Sequence, residues 1–405
     1  MLTKEFSAYI LDQSGEQSTA ILVKKYNKNG GVSMRRILVT LLILTLLVPT
    51  TIALSEETIK IGIFEPITGS YAGGGAMHVE GYELARELYP TVLGLPVEFI
   101  YGDSKSDKVE ATNAAASLVT KGVVAVLGSY SSGLCLSGAD VFADAGIPAI
   151  TPTGTNPMVT QGDWYARVSF IDPVQGPALA NFAIEQGYKK VAIIQEIESE
   201  YAVGLVSYFE RVISATDGIE VSSKGNFVNT DQDFTTLLTD ALKYEPDAIF
   251  TSVGYAPSAA LIIKQARELG FDGPIFGGDT LDAPELFEIA GTAVEGVVFT
   301  TFCDADQPAN EMTAQMVGAY RAQYDKKPAA PTMMSYDAYL TMLDAIERAG
   351  STDSAAIRDA IFATSGFVGA AGEITINENH DAVRPVVFVQ MLDDGSATFL
   401  ASVNP

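Results

Sequence analysis

The chain has 405 residues, 47% of them hydrophobic, with 25 Lys/Arg against 50 Asp/Glu and a formal net charge of −25. That length allows two domains with cores of their own, and that apolar fraction excludes a disordered chain. So acidic a balance argues against nucleic acid and anionic membrane surfaces as partners.

Two cysteines, Cys135 and Cys303, lie far apart and read as unpaired thiols, with at most one disulfide between them. The only histidines are His78 and His380, which excludes a multi-histidine metal site. Neither a metal nor a cofactor is expected.

In chain order, residues 1–33 precede a plausible start at Met34 and read as a non-native extension or a misassigned start. Met34-Arg35-Arg36 followed by the apolar run Ile37 to Val48 has the charged and hydrophobic regions of a secretion signal over 34–54. The run is shorter than the ~20 residues that span a bilayer. Export is therefore expected, with the signal either cleaved or kept as an anchor.

From Ile59 the sequence alternates strand-like and helix-like segments. Strands are predicted at 59–64 and 97–101, helices at 75–88 and 105–121. The stretch Val124 to Pro157 then holds two short apolar runs, 123–127 and 148–150, each breaking into small polar residues, with a helical segment 134–145 between them. Runs so brief suit buried parallel strands. Their loops, Gly128-Ser129-Tyr130-Ser131-Ser132-Gly133 and Thr151-Pro152-Thr153-Gly154-Thr155-Asn156, leave neighbouring carboxyl ends, where open α/β sheets bind ligands. Hydroxyls and a helix N-terminus meeting there suit a small carboxylate.

A crossing follows near 166–173, where Ile171-Asp172-Pro173 breaks the pattern. A second alternating series runs through helix 174–186, strand 191–195, helix 203–214, strand 221–227, helix 233–243, strand 248–252, helix 257–269 and strand 275–277. A further crossing is predicted at 297–301. Helices 310–324, 332–350 and 354–364 then return to the first lobe, and 386–401 reads as a hairpin. Alternation of this kind predicts an α/β fold of two Rossmann-like lobes with parallel sheets.

Taken by themselves, Ser132 and Thr155 could bind a ligand or merely cap helices. Tyr201, at a helix start, and Asp279, after the strand 275–277, have equally plain alternatives as a surface aromatic and a helix cap. An enzyme finds little support. Gly73-Gly74-Gly75-Ala76-Met77-His78 fails the G-x-G-x-x-G fingerprint at its last position, and the serine-rich loop is not a nucleophile elbow. His380 sits among Asn377, Asn379 and Asp381 in a predicted loop, away from any credible triad.

Four motifs in order give the chain a resemblance to the type I periplasmic binding proteins, specifically the leucine/isoleucine/valine-binding proteins of ABC transporters. They are Gly128…Ser132, Pro152-Thr153-Gly154-Thr155-Asn156-Pro157, the Tyr-x-x-Gly setting of Tyr201, and Gly254-Tyr255-Ala256-Pro257. The resemblance runs from about Ile59 to the C-terminus. It implies three hinge crossings, with lobe 1 formed by 58–170 and 301–372 and lobe 2 by 171–300 and 373–405.

It also implies a ligand site in the cleft. Ser132 and backbone N–H groups, Gly154 included, would hold a carboxylate. Thr155 and the carbonyl near Thr153 would help hold an ammonium. Tyr201 and Tyr255 would clamp the ligand, and Asp279 would pair with the ammonium. Where the leucine-type proteins carry a tryptophan, this chain has Gly74, so the expected side-chain pocket is roomier unless Tyr71 fills it.

The resemblance implies a monomeric extracytoplasmic solute-binding protein that delivers a branched-chain or other hydrophobic amino acid to an ABC permease. It touches the membrane only through that permease or an uncleaved signal. The alternative is a sensor module for amides, urea or another small polar solute, which would not need the charge of Asp279.

Overall fold

A computed structural model describes residues 57–404; the predicted signal over 34–54 and the extension over 1–33 lie outside the described residues. Among the described residues, no helix is long and apolar enough to cross a membrane.

The first sheet comprises β1 (Ile59–Glu65), β2 (Thr91–Val92), β3 (Leu95–Asp103), β4 (Ala125–Gly128), β5 (Ala149–Thr151) and β6 (Tyr165–Arg167), in the order β2-β3-β1-β4-β5-β6. All its pairings are parallel except the short β2–β3 ladder. In β1 every residue but Lys60 is buried, as a strand covered on both faces requires. The second sheet comprises β7 (Lys190–Glu196), β8 (Glu220–Phe227), β9 (Ala248–Ser252), β10 (Ile275–Gly277) and β11 (Val298–Thr301). A small hairpin, β12 (Phe367–Gly369) and β13 (Gly372–Ile374), stands apart. The tail strands β14 (Val386–Met391) and β15 (Ala397–Val403) then extend the second sheet antiparallel, giving β15-β14-β11-β10-β9-β7-β8.

Helices cover both sheets. In lobe 1 these are α1 (Ala72–Leu88), α2 (Lys108–Thr120) and α3 (Ser132–Ala145). In lobe 2 they are α4 (Asp172–Glu185), α5 (Glu200–Ile213), α6 (Thr235–Leu242), α7 (Ala256–Glu268) and α8 (Pro284–Ala290). The chain then adds α9 (Glu311–Tyr324), α10 (Ala330–Ala349) and α11 (Ser354–Phe362), with α10 packed along α1. The crossing predicted at 297–301 is instead strand β11, and the chain leaves lobe 2 just after it. Phe170 and Phe302, one on each of the first two crossings, pack in a tilted pair with ring centroids 4.6 Å apart.

The third crossing falls at 384–386 rather than at 372–373. Up to that point the tail is bound to lobe 1 by charge. Buried Arg167 forms a 2.6 Å ion pair with Asp381. Buried Asp337 of α10 accepts N–H bonds from Ala370 (2.5 Å) and Ala371 (2.9 Å) and pairs with Arg384 at 3.2 Å.

Removing one partner of such a buried pair leaves the other uncompensated, at a cost of ~3–5 kcal/mol. Asp337→Ala is therefore expected to lower the urea midpoint clearly without changing the second sheet, as followed by chemical denaturation and circular dichroism.

Candidate functional site

In an open parallel sheet the crevice lies beyond the carboxyl ends of the strands, where the chain reverses its order of addition. In the first sheet that point lies between β1 and β4, and in the second between β7 and β9. The loops after β4 and β5 carry Tyr130 to Ser132 and Thr153 to Asn156; those after β7, β9 and β10 carry Ser199 to Tyr201, Gly254-Tyr255 and Asp279. The two switch points face each other across a seam. Between them lies a closed cavity of about 10 Å³, lined by Tyr130, Ser132, Thr153, Tyr201, Gly254 and Asp279 among others.

Lobe 1 contributes uncharged donors to this cavity. Ser132 opens α3, whose first-turn N–H groups have no intrahelical acceptor. Its hydroxyl accepts the Asn156 N–H at 3.2 Å, tying the two loops together. Behind them, buried Glu65 accepts the Tyr130 N–H at 2.9 Å and lies 2.8 Å from His78 Nδ1. The other ring nitrogen of His78 is 3.1 Å from the Thr153 hydroxyl, which donates to the Tyr130 carbonyl.

Lobe 2 contributes negative charge. Asp279 is buried and accepts from the Tyr201 hydroxyl (2.7 Å) and from Gln175 (2.6 Å). Burial pushes its carboxyl up to about 6, against the lowering effect of those two donors. Asp172, the first residue of α4, is fully buried, and burial pushes it up to about 8. Thr155, beside Asp172, and the Arg167 cation lower it, while Asp279 raises it further. No cationic side chain lines the cavity.

Of the residues expected from sequence, the structure gathers Ser132, Thr153, Tyr201 and Asp279 around the cavity. Thr155 stands behind it, against Asp172. Gly154 is occupied within lobe 1: its N–H donates to Thr151 Oγ1 at 2.9 Å and its carbonyl accepts from Arg167. Tyr255 leans edge-on against Tyr130, with ring centroids 5.8 Å apart.

The room expected beside Gly74 is absent, because the Tyr130 ring lies on it; a Cβ at Gly74 would sit 2.6 Å from that ring. Tyr71 does not fill the space either. Its hydroxyl reaches across the seam to Glu196 at 2.8 Å. Sequence reasoning missed Tyr130, Asp172, Gln175 and Glu196. Only Asp172 left a signal, as an acid directly before the helix-opening Pro173.

The seam is closed by contacts between lobes. Glu196 holds Tyr71 with one oxygen and the Gly254 N–H, at 2.7 Å, with the other. Lys108 pairs with Glu200, and Asn156 donates to the Glu200 carbonyl at 3.0 Å. Gly73 of α1 abuts the Tyr255 hydroxyl and the Glu285 carboxylate so closely that any Cβ would overlap both.

Comparison with known proteins gives a consistent result. Residues 58–396 match the family model described as periplasmic binding protein. A leucine-binding protein, LivK, of Thermotoga maritima is 43% identical, with a TM-score of 0.82 over 86% of this chain and 99% of that one. The branched-chain amino acid transporter substrate-binding protein LivJ of Streptococcus pneumoniae, solved with isoleucine, is 29% identical, with a TM-score of 0.81 over 86% and 100%. The Leu/Ile/Val-binding protein homolog 3 of Brucella melitensis is 29% identical over 83% of this chain and 92% of its own length.

Gly73→Ala is expected to hold the lobes ajar while leaving each intact, since alanine favours the helix it would join. Scattering under saturating ligand should show a larger radius of gyration than wild type, and affinity should fall at least ~tenfold, or about 1.4 kcal/mol.

Proposed function

The chain belongs to the periplasmic binding protein family, in its leucine/isoleucine/valine-binding branch, and on that premise we propose that it captures a free α-amino acid in the cleft and passes it to an ABC permease. A member of this family is an extracytoplasmic binding protein, not an enzyme. The printed names of its relatives carry leucine, isoleucine and valine, and they support a branched-chain ligand as the starting point. The sequence pattern over 34–54 supports export by an N-terminal signal.

One observation carries the reading: the cavity sets uncharged donors on one wall against the buried carboxylate of Asp279 on the other. An amino acid enters as a zwitterion, and closing the cleft strips water from both of its charges. Each loses several kcal/mol of hydration unless a partner replaces the water. For the carboxylate, Ser132 and the N-terminus of α3 serve without a cation. For the ammonium, Asp279 supplies the stronger, charge-assisted kind of bond. A sensor for neutral amides or urea would gain nothing from two buried acids, so the charge favours the amino acid.

Asp279→Asn keeps the shape and removes the charge. The expected loss is ~2–5 kcal/mol, about 30-fold or more in affinity, measured by isothermal titration with the best amino acid. A loss under about threefold in a folded variant would place the ammonium elsewhere.

The pH dependence has a definite sign. Both acids hold protons in the free protein at pH values where an unfolded chain has lost them. Stability of the ligand-free protein therefore falls as pH rises from about 4 through 8. An ammonium favours the ionised Asp279 carboxyl, so affinity should rise about tenfold per pH unit up to about 6, that one proton being displaced. Titration calorimetry at pH 5, 6 and 7 checks this, and Asp279→Asn should flatten the slope.

A further inference from the structure

The residue that fills the expected opening beside Gly74 has an unusual environment of its own. Tyr130 is held from both sides through its backbone: its N–H donates to buried Glu65 at 2.9 Å and its carbonyl accepts from Thr153 at 3.2 Å. Its ring lies on the bare Cα of Gly74 and meets His78 and Tyr255 edge-on, at centroid distances of 5.4 and 5.8 Å. A side chain pinned in this way cannot swing aside without breaking those contacts. Its hydroxyl, by contrast, is buried and has no hydrogen-bond partner. The ionisable groups that act on it, Tyr255, Asp279, Glu285 and Tyr71, all belong to the cleft walls.

A buried hydroxyl without a partner forfeits its hydration and gains nothing in return; several occur in the described residues, Tyr255's among them, and of these Tyr130's alone belongs to a residue lining the cavity. In a cleft that opens and closes, the absent partner is supplied by what the cleft closes upon. The cavity that Tyr130 lines is small, about 10 Å³, and most of its lining residues carry polar groups. The polar lining runs against a long aliphatic side chain at this end of the site.

We propose that Tyr130 determines specificity: its hydroxyl selects a side-chain hydroxyl, so threonine is preferred over its isostere valine and over leucine. This rests on the amino-acid reading above and narrows it. The phenol can donate to or accept from the ligand hydroxyl, and valine would leave it unpaired. A site built to hydrogen-bond a ligand hydroxyl discriminates far more strongly than one that only measures a methylene.

The test is isothermal titration of threonine, valine and leucine against wild type, Tyr130→Phe and Tyr130→Leu, each checked for folding by circular dichroism. Threonine should bind wild type at least tenfold more tightly than valine. Tyr130→Phe should bring that ratio to within about threefold, and Tyr130→Leu should raise leucine affinity relative to threonine at least tenfold. Tyr130→Phe should also melt no lower than wild type without ligand, since it removes a hydroxyl that bonds to nothing.

If valine or leucine binds wild type as tightly as threonine, or if the threonine-to-valine ratio survives Tyr130→Phe, the inference is wrong and the amino-acid reading stands. Should none of the amino acids bind, that reading falls and the inference falls with it.

Discussion

Two carboxylates buried beside a cavity that no cationic side chain lines set the terms for the rest of this structure. Both are removed from water, and Asp279 adds to the cost of ionising Asp172, which Thr155 and Arg167 reduce. Gln175 and Tyr201 offset part of that cost for Asp279 by donating to it. Neutral donors stabilise a buried charge less fully than an opposite charge does. A positively charged ligand group would therefore offset a cost that the cleft's own residues leave partly uncompensated. Closure and ligand choice become one problem: a solute without a cation leaves that cost in place, and the lobes gain less by shutting on it.

Rigid elements localise that cost. Both walls are built at switch points of open sheets, so strands fixed by their ladders deliver the loops to the same place. Glu196 shows how the walls are joined. It ends β7, anchors the Gly254 N–H that precedes Tyr255, and holds Tyr71 from the opposite lobe. Burial raises its carboxyl, and the bond to Tyr71 spans the two lobes, so it exists only while they are shut. Small residues set how near the walls come. With no side chain at Gly73, the two lobes meet at van der Waals range.

The elements were legible because their signals are local and repeated. Runs such as Ala248–Ser252 and Ile275–Gly277 are apolar, short and bounded by breakers, and the strands begin and end where that pattern does. Ser132, Thr153, Tyr201 and Asp279 could be placed near a cleft because each lies just beyond a strand end, on the side to which topology sends those ends, and matches a position of the resembled family. What was not legible depends on where one side chain turns. Gly74 looked like empty space, yet the vacancy is filled from a loop more than fifty residues away by Tyr130. Gly154 looked like a free donor, but Thr151 and Arg167 already claim both its backbone groups. Nor did any run of residues announce that 373–384 stays with lobe 1, since that depends on the pairs Arg167–Asp381 and Asp337–Arg384.

Arg167 connects these observations. It ends β6 at the first crossing, and its guanidinium is wholly buried. Burial lowers its tendency to stay protonated, and the Asp381 carboxylate beside it restores that tendency. From there it donates to the Gly154 carbonyl and, at 2.8 Å, to the Asn156 carbonyl, both in the loop that bears Thr153 and Thr155. Asp381 lies just before the third crossing. One buried cation thus joins the first crossing, the approach to the last one and the ligand loop between them. Because a buried, multiply bonded guanidinium has few alternative arrangements, it fixes these three segments to one another, so the loop that bears Thr153 is anchored both to the first crossing and to the approach to the last.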